Sequence, residues 1–497
     1  MRDFIVINEK DNVAVALKFL SGGKCVNVNG KNIELKNDIP MGHKFLLEDL
    51  SEGSNIIKYG YPIGYLLSNA KAGEHIHTHN IKTLLGDNLE YEYNPVLKNE
   101  DVEYTDIPLT FNGYERKNGD VGIRNEIWII PTVGCVNSIV KMIADKAKTG
   151  MPDNIDDIVS FAHPYGCSQM GEDQENSRKA IASLVNHPNA GGVLLVGLGC
   201  ENSSIDVLKE YIGDYDADRV RFLNCQDEED ELEKGISYVN ELIRVMKSDK
   251  RSEQPVSKLI VGLKCGGSDG FSGITANPVV GKFSDVLTQN NGSTILTEVP
   301  EMFGAETILM DRAVDKEVFE KIVDMINGFK EYYRFHNQTI YENPSPGNKA
   351  GGISTLEDKA LGCTQKSGDS LVVDVLPYAK KLETEGLNLL YSPGNDLVAS
   401  TALALSGAQI VLFTTGRGTP FATVVPTVKI STNSDLYNKK KNWIDFDCGP
   451  VLEENESIDD YGIKLYKYVI DIANGSKVKS EEAGGRDLAI FKQGVTL

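Results

Sequence analysis

The chain has 497 residues, of which 41% are hydrophobic and 25% are charged, a composition typical of packed globular proteins. Its formal net charge of −21 disfavours nucleic acid as a partner, because a polyanion would be repelled and no long basic run offsets the field. The first residues contain no signal-like apolar run, and the longest apolar stretch, around Val193–Leu198, is far too short to span a membrane. We therefore expect a cytoplasmic protein whose eight cysteines stay reduced.

The first 110 residues predict a small β domain followed by a linker. In residues 1–85, short apolar runs such as Asn12–Leu17 and Ile56–Gly60 alternate with glycine-containing turns, a pattern typical of short strands. Residues 86–110 are polar and acidic with scattered prolines, which is typical of a linker. We predict an N-terminal β-rich domain joined by this linker to the rest of the chain.

From Phe111 onward, apolar runs alternate with amphipathic stretches, which indicates an α/β fold with mainly parallel sheets. Each of four such runs leads into a loop of glycine, cysteine or polar residues: Ile127–Ile130, Val193–Val196, Leu259–Val261 and Ile410–Phe413. Ligands of open α/β sheets bind beyond the carboxyl ends of the strands, so we expect the site there. The charged segment 246–256 predicts a boundary between two α/β domains, 111–250 and 251–497.

Three of the seven histidines, His75, His77 and His79, lie at alternate positions. In a strand, this spacing places all three imidazoles on one face, where they can converge on a metal ion or an anion. The alternative is a solvated polar strand face. The spacing differs from His-Glu-x-x-His, so a helical zinc site is not predicted.

Four cysteines lie beside glycines in the predicted loops at strand ends: Cys135, Cys167, Cys200 and Cys265. Thiolates are good ligands for iron or zinc, so these four are predicted to bind a cofactor. Their spacings match no Cys-x-x-Cys pattern, and four inert buried cysteines are the alternative. Cys25, Cys225 and Cys448 lack this context and are interpreted as structural.

Three glycine-rich polar loops follow in the C-terminal half, at Gly266–Gly273, Asn343–Lys349 and Thr414–Pro420. Glycines allow backbone N–H groups to approach an anion, and Arg417 and Lys349 can bind a carboxylate. Plain tight turns are the alternative, but the many hydrogen-bond donors favour binding of a polyol and a carboxylate. The sequence contains no complete dinucleotide-binding or Walker A loop, which disfavours a nicotinamide- or ATP-dependent enzyme.

Several segments, taken in order over essentially the whole chain, are similar to the altronate and galactarate dehydratase family. They are Pro40–Lys44, Lys58–Gly64, Gly73–Asn80, Phe111–Arg116, Tyr165–Ser168, Lys264–Gly273, Asn343–Lys349, Thr415–Pro420 and Asp445–Gly449. The resemblance implies an N-terminal β-clip domain of the SAF type and two α/β dehydratase domains. It also implies dependence on Fe²⁺, with Mn²⁺ as a substitute, and leaves an iron–sulfur cluster open.

Within the family, the His-x-His-x-His-Asn segment resembles the altronate branch, which implies dehydration of D-altronate to 2-dehydro-3-deoxy-D-gluconate in hexuronate catabolism. The histidine triplet is expected around the metal or the substrate. The candidates for binding the carboxylate and for acid–base chemistry are Arg417 and Lys349, then His163 and Lys264. The alternatives are a galactarate dehydratase or a sulfolactate sulfo-lyase of the same family, and a non-catalytic protein that binds sugar acids. A homodimer is left open.

Overall fold

The computed structural model describes residues 2–85, 90–96, 104–341, 343–452 and 456–494. The N-terminal domain consists of short strands: β1 (Phe4–Ile5), β2 (Val13–Ala16), β3 (Cys25–Val28), β4 (Lys31–Glu34), β5 (Lys44–Leu46), β6 (Asn55–Lys58), β7 (Tyr61–Leu66), β8 (His75–Ile76) and β9 (Ile81–Lys82). They form antiparallel sheets in the orders β1–β2–β5–β8, β3–β4 and β6–β7–β9. The predicted apolar runs correspond to β2 and β6.

The second domain has a four-stranded parallel sheet with helices on both faces. Its elements are β10 (Thr110–Glu115), β11 (Val121–Gly122), β12 (Glu126–Pro131), α1 (Asn137–Ala147), β13 (Ile158–Ser160), α2 (Gly171–Val185), β14 (Ala190–Gly197), α3 (Ile205–Ile212), β15 (Val220–Asn224) and α4 (Glu231–Met246). The parallel strands are ordered β13–β12–β14–β15. Helices α1 and α4 cover one face of β12 and α2 the other, which explains why this strand is apolar throughout.

The C-terminal domain is built on a seven-stranded sheet. Its elements are β16 (Ser252–Pro255), β17 (Ile260–Cys265), α5 (Ala276–Gln289), β18 (Ser293–Leu296), α6 (Glu306–Met310), α7 (Lys316–Phe335), α8 (Pro346–Ala350), α9 (Leu356–Thr364), β19 (Val372–Leu376), β20 (Leu387–Leu390), α10 (Asp396–Leu405), β21 (Ile410–Thr415), β22 (Thr427–Ser431), α11 (Ser434–Lys439), β23 (Phe446–Asp447), α12 (Ile458–Ala473) and α13 (Lys479–Glu482). The sheet order is β19–β20–β18–β17–β21–β22–β23, and all its neighbouring strands are parallel.

The predicted fold class is confirmed, since the four apolar runs lie in the parallel strands β12, β14, β17 and β21. The charged segment at the predicted domain boundary contains β16, which pairs with β10. Part of the predicted linker, 86–89 and 97–103, lies outside the described residues. Residues 90–96 pack on the C-terminal domain, where Tyr91 Oη donates to Glu306 Oε1 at 2.5 Å. Among the described helices, none combines the length and the apolar character needed to cross a membrane.

The N-terminal domain packs directly on the C-terminal domain through a buried ion-pair triad. Lys44 Nζ and Lys58 Nζ each donate to one carboxylate oxygen of Asp358 in α9, at 2.9 Å. The backbones also touch, because a Cβ at Gly270 would lie 2.1 Å from the carbonyl oxygen of Gly42. These contacts bring β5 and β8 against the loop that follows β17, where the candidate site lies.

Candidate active site

Four histidines of the N-terminal domain, here called the histidine group, lie together at the boundary with the C-terminal domain: His43, His75, His77 and His79. Ring centroids are 5.1 Å apart for His43 and His75, and 4.8 Å apart for His43 and His77. The rings of His75 and His79 are 5.4 Å apart. His43 Nδ1 lies 3.0 Å from His75 Nε2. The predicted triplet is therefore completed by a fourth imidazole from the start of β5.

The rings of the triplet converge through a turn and not through a continuous strand. Strand β8 ends at Ile76, and the chain then turns. Asn80 fixes this turn, because its Oδ1 accepts from the His77 N–H at 3.0 Å and its Nδ2 donates to the His75 carbonyl at 2.9 Å. The expected continuous strand face is thus replaced by a turn that the Asn80 side chain holds, and the imidazoles still lie close together.

The surroundings of His43, His75 and His77 lower the pKa of each imidazole and so favour its neutral form. Burial, together with the neighbouring imidazoles and Lys44, lowers the pKa of His75 to about 4. Burial, Lys44 and the neighbouring rings lower the pKa of His77 to about 3, and burial also lowers the pKa of His43. Nδ1 of His77 is buried and has no hydrogen-bond partner among the described residues. Neutral imidazoles with a free lone pair fit a divalent transition metal ion.

Helix α8 and the loop after β21 lie beside the histidine group. His43 Nε2 is 3.3 Å from the carbonyl oxygen of Ala350, the last residue of α8. Lys349 precedes it and is half-buried. The exposed Arg417 donates from Nη1 to the carbonyl of Gly347 at 2.8 Å. The two cations predicted to bind a carboxylate are therefore both attached to α8, next to the histidines.

Asp269 forms hydrogen bonds and close contacts with several of the glycine-rich loops. Its half-buried carboxylate accepts from the N–H of Phe271 at 3.1 Å and from Thr432 Oγ1 at 3.0 Å, and partial removal from water raises its pKa. A Cβ at Gly416 would lie 2.2 Å from Asp269 Cγ, and one at Gly351 would lie 3.1 Å from Asp269 Cβ. The glycines are needed because two loop backbones pass directly over this carboxylate.

Lys264, predicted as an acid–base candidate, is fully buried at the end of β17. Its Nζ donates to Glu298, to Asp396 Oδ1 at 2.8 Å and to the Cys265 carbonyl at 2.6 Å. Burial alone would lower its pKa, but the carboxylates of Glu298 and Asp396 outweigh burial and raise it well above the ordinary value. An ammonium held in this way stays protonated, so this geometry disfavours Lys264 as a general base.

Cys265 belongs to a buried group that offers a second candidate metal site. Its Sγ lies 3.4 Å from Cys363 Sγ and 3.1 Å from Glu301 Oε2, and it accepts from Lys366 Nζ at 2.9 Å. The hydrogen bond from Cys363 and the charge of Lys366 lower the Cys265 pKa to about 6, although burial opposes this. Cys265, Glu301 and Cys363 bring three ligand atoms within 4.8 Å of one another.

Lys359 joins this buried group to the histidine side of the site. Its Nζ lies 2.8 Å from Glu301 Oε1 and donates to Asn348 Oδ1 at 3.1 Å. Asn348 is part of α8 and also donates to the Ser268 carbonyl at 2.8 Å. The buried charges therefore position α8, and with it Lys349.

Family models match the chain along most of its length. The SAF domain of altronate/galactarate dehydratases matches residues 2–84, and the second domain of D-galactarate dehydratase/altronate hydrolase matches residues 113–247. The C-terminal domain of D-galactarate/altronate dehydratase matches residues 256–496. The chain belongs to this dehydratase family. The family predicted from the sequence segments is thereby confirmed.

Similarity to individual members of the family extends over the full length. The chain is 53% identical to the altronate dehydratase of Bacillus subtilis (strain 168), over 100% of both chains. It is 51% identical to the altronate dehydratase of Escherichia coli (strain K12), over 99% of this chain and 100% of that protein. Identity to the galactarate dehydratase (L-threo-forming) of Escherichia coli (strain K12) is 32%, over 98% of this chain and 96% of that protein.

His163, the other predicted acid–base candidate, lies away from the histidine group, in the second domain of this dehydratase-family chain. It is buried, its Nε2 is 2.8 Å from the Pro131 carbonyl, and its Nδ1 accepts from the Tyr165 N–H at 3.2 Å. Both ring nitrogens are therefore engaged by the backbone. This arrangement supports a structural role and disfavours proton transfer.

The four cysteines predicted as one cofactor set fall into two groups. Cys135, Cys167 and Cys200 are exposed in the second domain, whereas Cys265 is buried in the C-terminal domain. The grouping into four is corrected because the cysteines follow strands of two different sheets. Sequence reasoning missed Glu301 and Cys363, which lie in no motif of their own, and it missed His43, whose only signal was the Pro40–Lys44 segment.

Proposed function

We propose that this protein is an altronate dehydratase, which removes water from D-altronate to give 2-dehydro-3-deoxy-D-gluconate. The observation that carries the proposal is full-length identity of 53% and 51% to two altronate dehydratases, against 32% to a galactarate dehydratase. The chemistry of the site supports it, since neutral imidazoles lie beside two cations that suit an anionic sugar acid.

The reaction needs a base for a weakly acidic proton and stabilisation of a developing anion. The proton on C2 leaves to the base, and negative charge spreads onto the carboxylate as an enediolate. The C3–O bond then breaks, and the hydroxyl group takes up a proton and departs as water. The enol that remains tautomerises to the 2-keto acid, so the atoms balance without an electron carrier.

We assign the carboxylate to Lys349 and Arg417, because both are attached to α8 and both are accessible. Arg417 can bind a carboxylate with two N–H groups, and Lys349 supplies a point charge. Fixed cations aimed at the developing enediolate need no reorganisation during the reaction. The hydrogen bond from Lys359 to Asn348 keeps α8 in place, and the hydrogen bond from Thr432 to Asp269 keeps the glycine-rich loops in place.

We assign a divalent metal ion, Fe²⁺ with Mn²⁺ as a substitute, to the histidine group. His43, His75 and His77 are the half-buried or buried donors, with His79 as the exposed fourth ring. When bound, the ion supplies Lewis-acid stabilisation of negative charge.

A substrate panel tests the proposal. Full-length protein is assayed anaerobically with ferrous iron on D-altronate, galactarate, D-mannonate and sulfolactate, and the 2-keto acid is measured colorimetrically. D-Altronate is expected to give the highest kcat/KM. Faster turnover of galactarate, or release of sulfite from sulfolactate, would reassign the substrate within the family. No turnover of any of the four would favour a sugar-acid-binding protein.

Location and assembly are also part of the proposal. A cytoplasmic location is supported by the eight cysteines, which are all free thiols that a reducing compartment preserves. A homodimer stays a prediction, which light scattering of the purified protein measures. A single peak at the mass of one chain would exclude it.

A further inference from the structure

Three exposed thiols lie at one edge of the second domain. The strands β13, β12 and β14 are neighbours in the parallel sheet, and the loops that follow their carboxyl ends carry Cys167, Cys135 and Cys200. All three side chains are exposed. Free cysteine is among the residue types most often buried in proteins. Three exposed thiols on adjacent loops, in a domain to which no catalytic step has been assigned, therefore require an explanation.

The three loops touch one another through their backbones. The Gly134 N–H donates to the Tyr165 carbonyl at 2.9 Å, which joins the Cys135 and Cys167 loops. The Ser203 N–H donates to the Gly166 carbonyl at 3.2 Å, which joins the Cys167 and Cys200 loops. We call residues 132–137, 163–169 and 197–203 the cysteine loops.

Hydrogen bonds of two buried side chains, His163 and Glu201, stabilise the backbones of the cysteine loops. His163 connects Pro131, at the end of β12, to the N–H of Tyr165. The buried carboxylate of Glu201 accepts from Thr132 Oγ1 at 2.5 Å and from the Gly199 N–H at 2.7 Å. These contacts fix the loop backbones that carry the thiols. His163, to which no catalytic role is assigned, thus positions the loops at this edge of the sheet.

The side chains around the thiols suit a bound sulfur ligand. Gln226 Nε2 donates to Cys200 Sγ at 3.7 Å, and Asn202 Oδ1 accepts from the N–H of Ser168, next to Cys167, at 3.2 Å. Hydrogen bonds to sulfur are among the interactions that tune iron–sulfur centres. Cys225 follows the fourth strand, β15, but packs against the apolar core, so it does not join the exposed set.

One thiol comes from each of three loops that are hydrogen-bonded to one another. A cluster binds each cysteine at a different iron, so it suits ligands that come from separate neighbouring loops. A single tetrahedral ion, whose metal–sulfur bonds are about 2.3 Å long, needs its ligands closer together.

We propose that Cys135, Cys167 and Cys200 bind an iron–sulfur cluster of the [4Fe–4S] type. A preformed cluster passes from a cluster-donor protein by ligand exchange: each thiol loses its proton to solvent as its sulfur replaces a donor ligand on one iron, and the oxidation state of the cluster does not change. The fourth iron has no cysteine ligand from this set and is open to water or to an oxygen ligand. This centre is separate from the metal ion assigned to the histidine group and does not depend on the proposed substrate.

The test is chemical analysis of full-length protein purified anaerobically from cells. We expect about four acid-labile sulfides and at least four irons per chain, with the broad visible absorption of an iron–sulfur cluster. Cys135→Ser, Cys167→Ser and Cys200→Ser should each lose most of the sulfide and the absorption. Cys25→Ser, which removes another exposed thiol in the N-terminal domain, should keep both.

Iron without sulfide, or zinc in place of iron, in the wild-type protein would overturn the proposal. Equal loss of sulfide in Cys25→Ser would overturn it as well. Should the serine variants fail to fold, as judged by circular dichroism, the wild-type sulfide content and a Mössbauer spectrum decide alone. His77→Ala separates the two proposals, because it should keep the sulfide while losing D-altronate turnover. Altronate turnover without any sulfide would leave the proposed function standing and remove the cluster.

Discussion

The carboxyl edges of the two parallel sheets have similar sequences and opposite environments. In both, an apolar strand leads into a loop with glycine and cysteine, as in Gly199-Cys200 after β14 and Cys265-Gly266 after β17. At the second-domain edge the thiols are exposed, whereas at the C-terminal edge Cys265 is buried among charged side chains.

The difference arises from what covers each edge. The N-terminal domain packs on the loop after β17 and on α9, where Phe271 and Ile274 share a core with Ile63 and Ile76. This cover excludes water from the buried charges and also supplies the histidine group. The second-domain edge has no such cover among the described residues. The comparison indicates that the same strand-to-loop pattern gives different chemistry depending on the domain packed against it.

The largest effect on stability is expected from weakening the contact between the N-terminal and C-terminal domains. Asp358→Asn leaves Lys44 and Lys58 buried without a counter-charge, which should destabilise the protein by about 3–5 kcal/mol. Thermal or urea unfolding measures this. The matched control is Asp49→Asn, which breaks the exposed pair with Lys71 and should leave stability nearly unchanged. Equal effects of the two variants on stability would mean that the ion-pair triad does not stabilise the contact between the N-terminal and C-terminal domains.

The same triad predicts a pH dependence. Burial would raise the Asp358 pKa, but Lys44 and Lys58 outweigh burial and hold it below its usual range. The stabilisation is therefore full above the unfolded-state pKa of about 3.9 and is lost as the pH falls through the lower folded-state pKa. The stability difference between wild type and Asp358→Asn should be constant near neutral pH and shrink in strong acid. A difference that grows on acidification would contradict this sign.

The next largest effect is expected on turnover, from a change in the histidine group of the N-terminal domain. His77→Ala should reduce kcat by at least about 10²-fold, as the loss of one electrostatic group does in other enzymes. Stability should change by no more than about 1 kcal/mol, because the ring is half-buried and its Nδ1 makes no hydrogen bond to any residue that the structure describes. Bound iron, measured by elemental analysis, should fall by about one ion per chain, since the irons of the proposed cluster stay bound.

The matched control is His336→Ala, a half-buried histidine at the end of α7, which should keep both activity and iron. Parallel loss of stability and activity in His77→Ala would indicate a structural network. The active site would then move to the Cys265–Gly273 and Thr415–Pro420 loops.

A smaller effect is expected at the exposed rim of the site. Arg417→Ala removes a charged donor to the substrate carboxylate, and such hydrogen bonds contribute about 1.5–3 kcal/mol, or roughly 10- to 150-fold in kcat/KM. Arg417→Lys should recover only part of the loss, because it cannot bind the carboxylate with two N–H groups. Arg244→Ala, an exposed arginine on α4, is the control. Unchanged kinetics of Arg417→Ala would remove Arg417 from the site.

Thiol labelling compares the two edges directly and perturbs the molecule least. In protein freed of iron and sulfide, iodoacetamide should modify Cys135, Cys167 and Cys200 at rates similar to Cys25. Cys265 should react much more slowly in spite of its pKa of about 6, because it is buried. Mass spectrometry of peptides follows each site. Rapid labelling of Cys265 in folded protein would mean that the C-terminal edge is open.

The sequence by itself determined the fold class and the family. Continuous apolar runs such as Ile127–Ile130 can only be buried on both faces, so they specify strands of a covered parallel sheet. It also singled out the histidine triplet, Lys349 and Arg417 as candidates, because their residue types and glycine-rich surroundings are local signals. Such signals depend only on neighbouring residues in the chain, so they can be read without knowledge of the tertiary structure.

Only the tertiary structure decided which of these residues act together. His43 joins the triplet across more than thirty residues through the pairing of β5 with β8, and Cys363 meets Cys265 through the packing of α9. Lys264 and His163 have the right chemistry in sequence, but buried carboxylates hold one as an ammonium and backbone groups occupy the other. Charge state and access depend on burial and on distant partners, and these are set by how the domains pack.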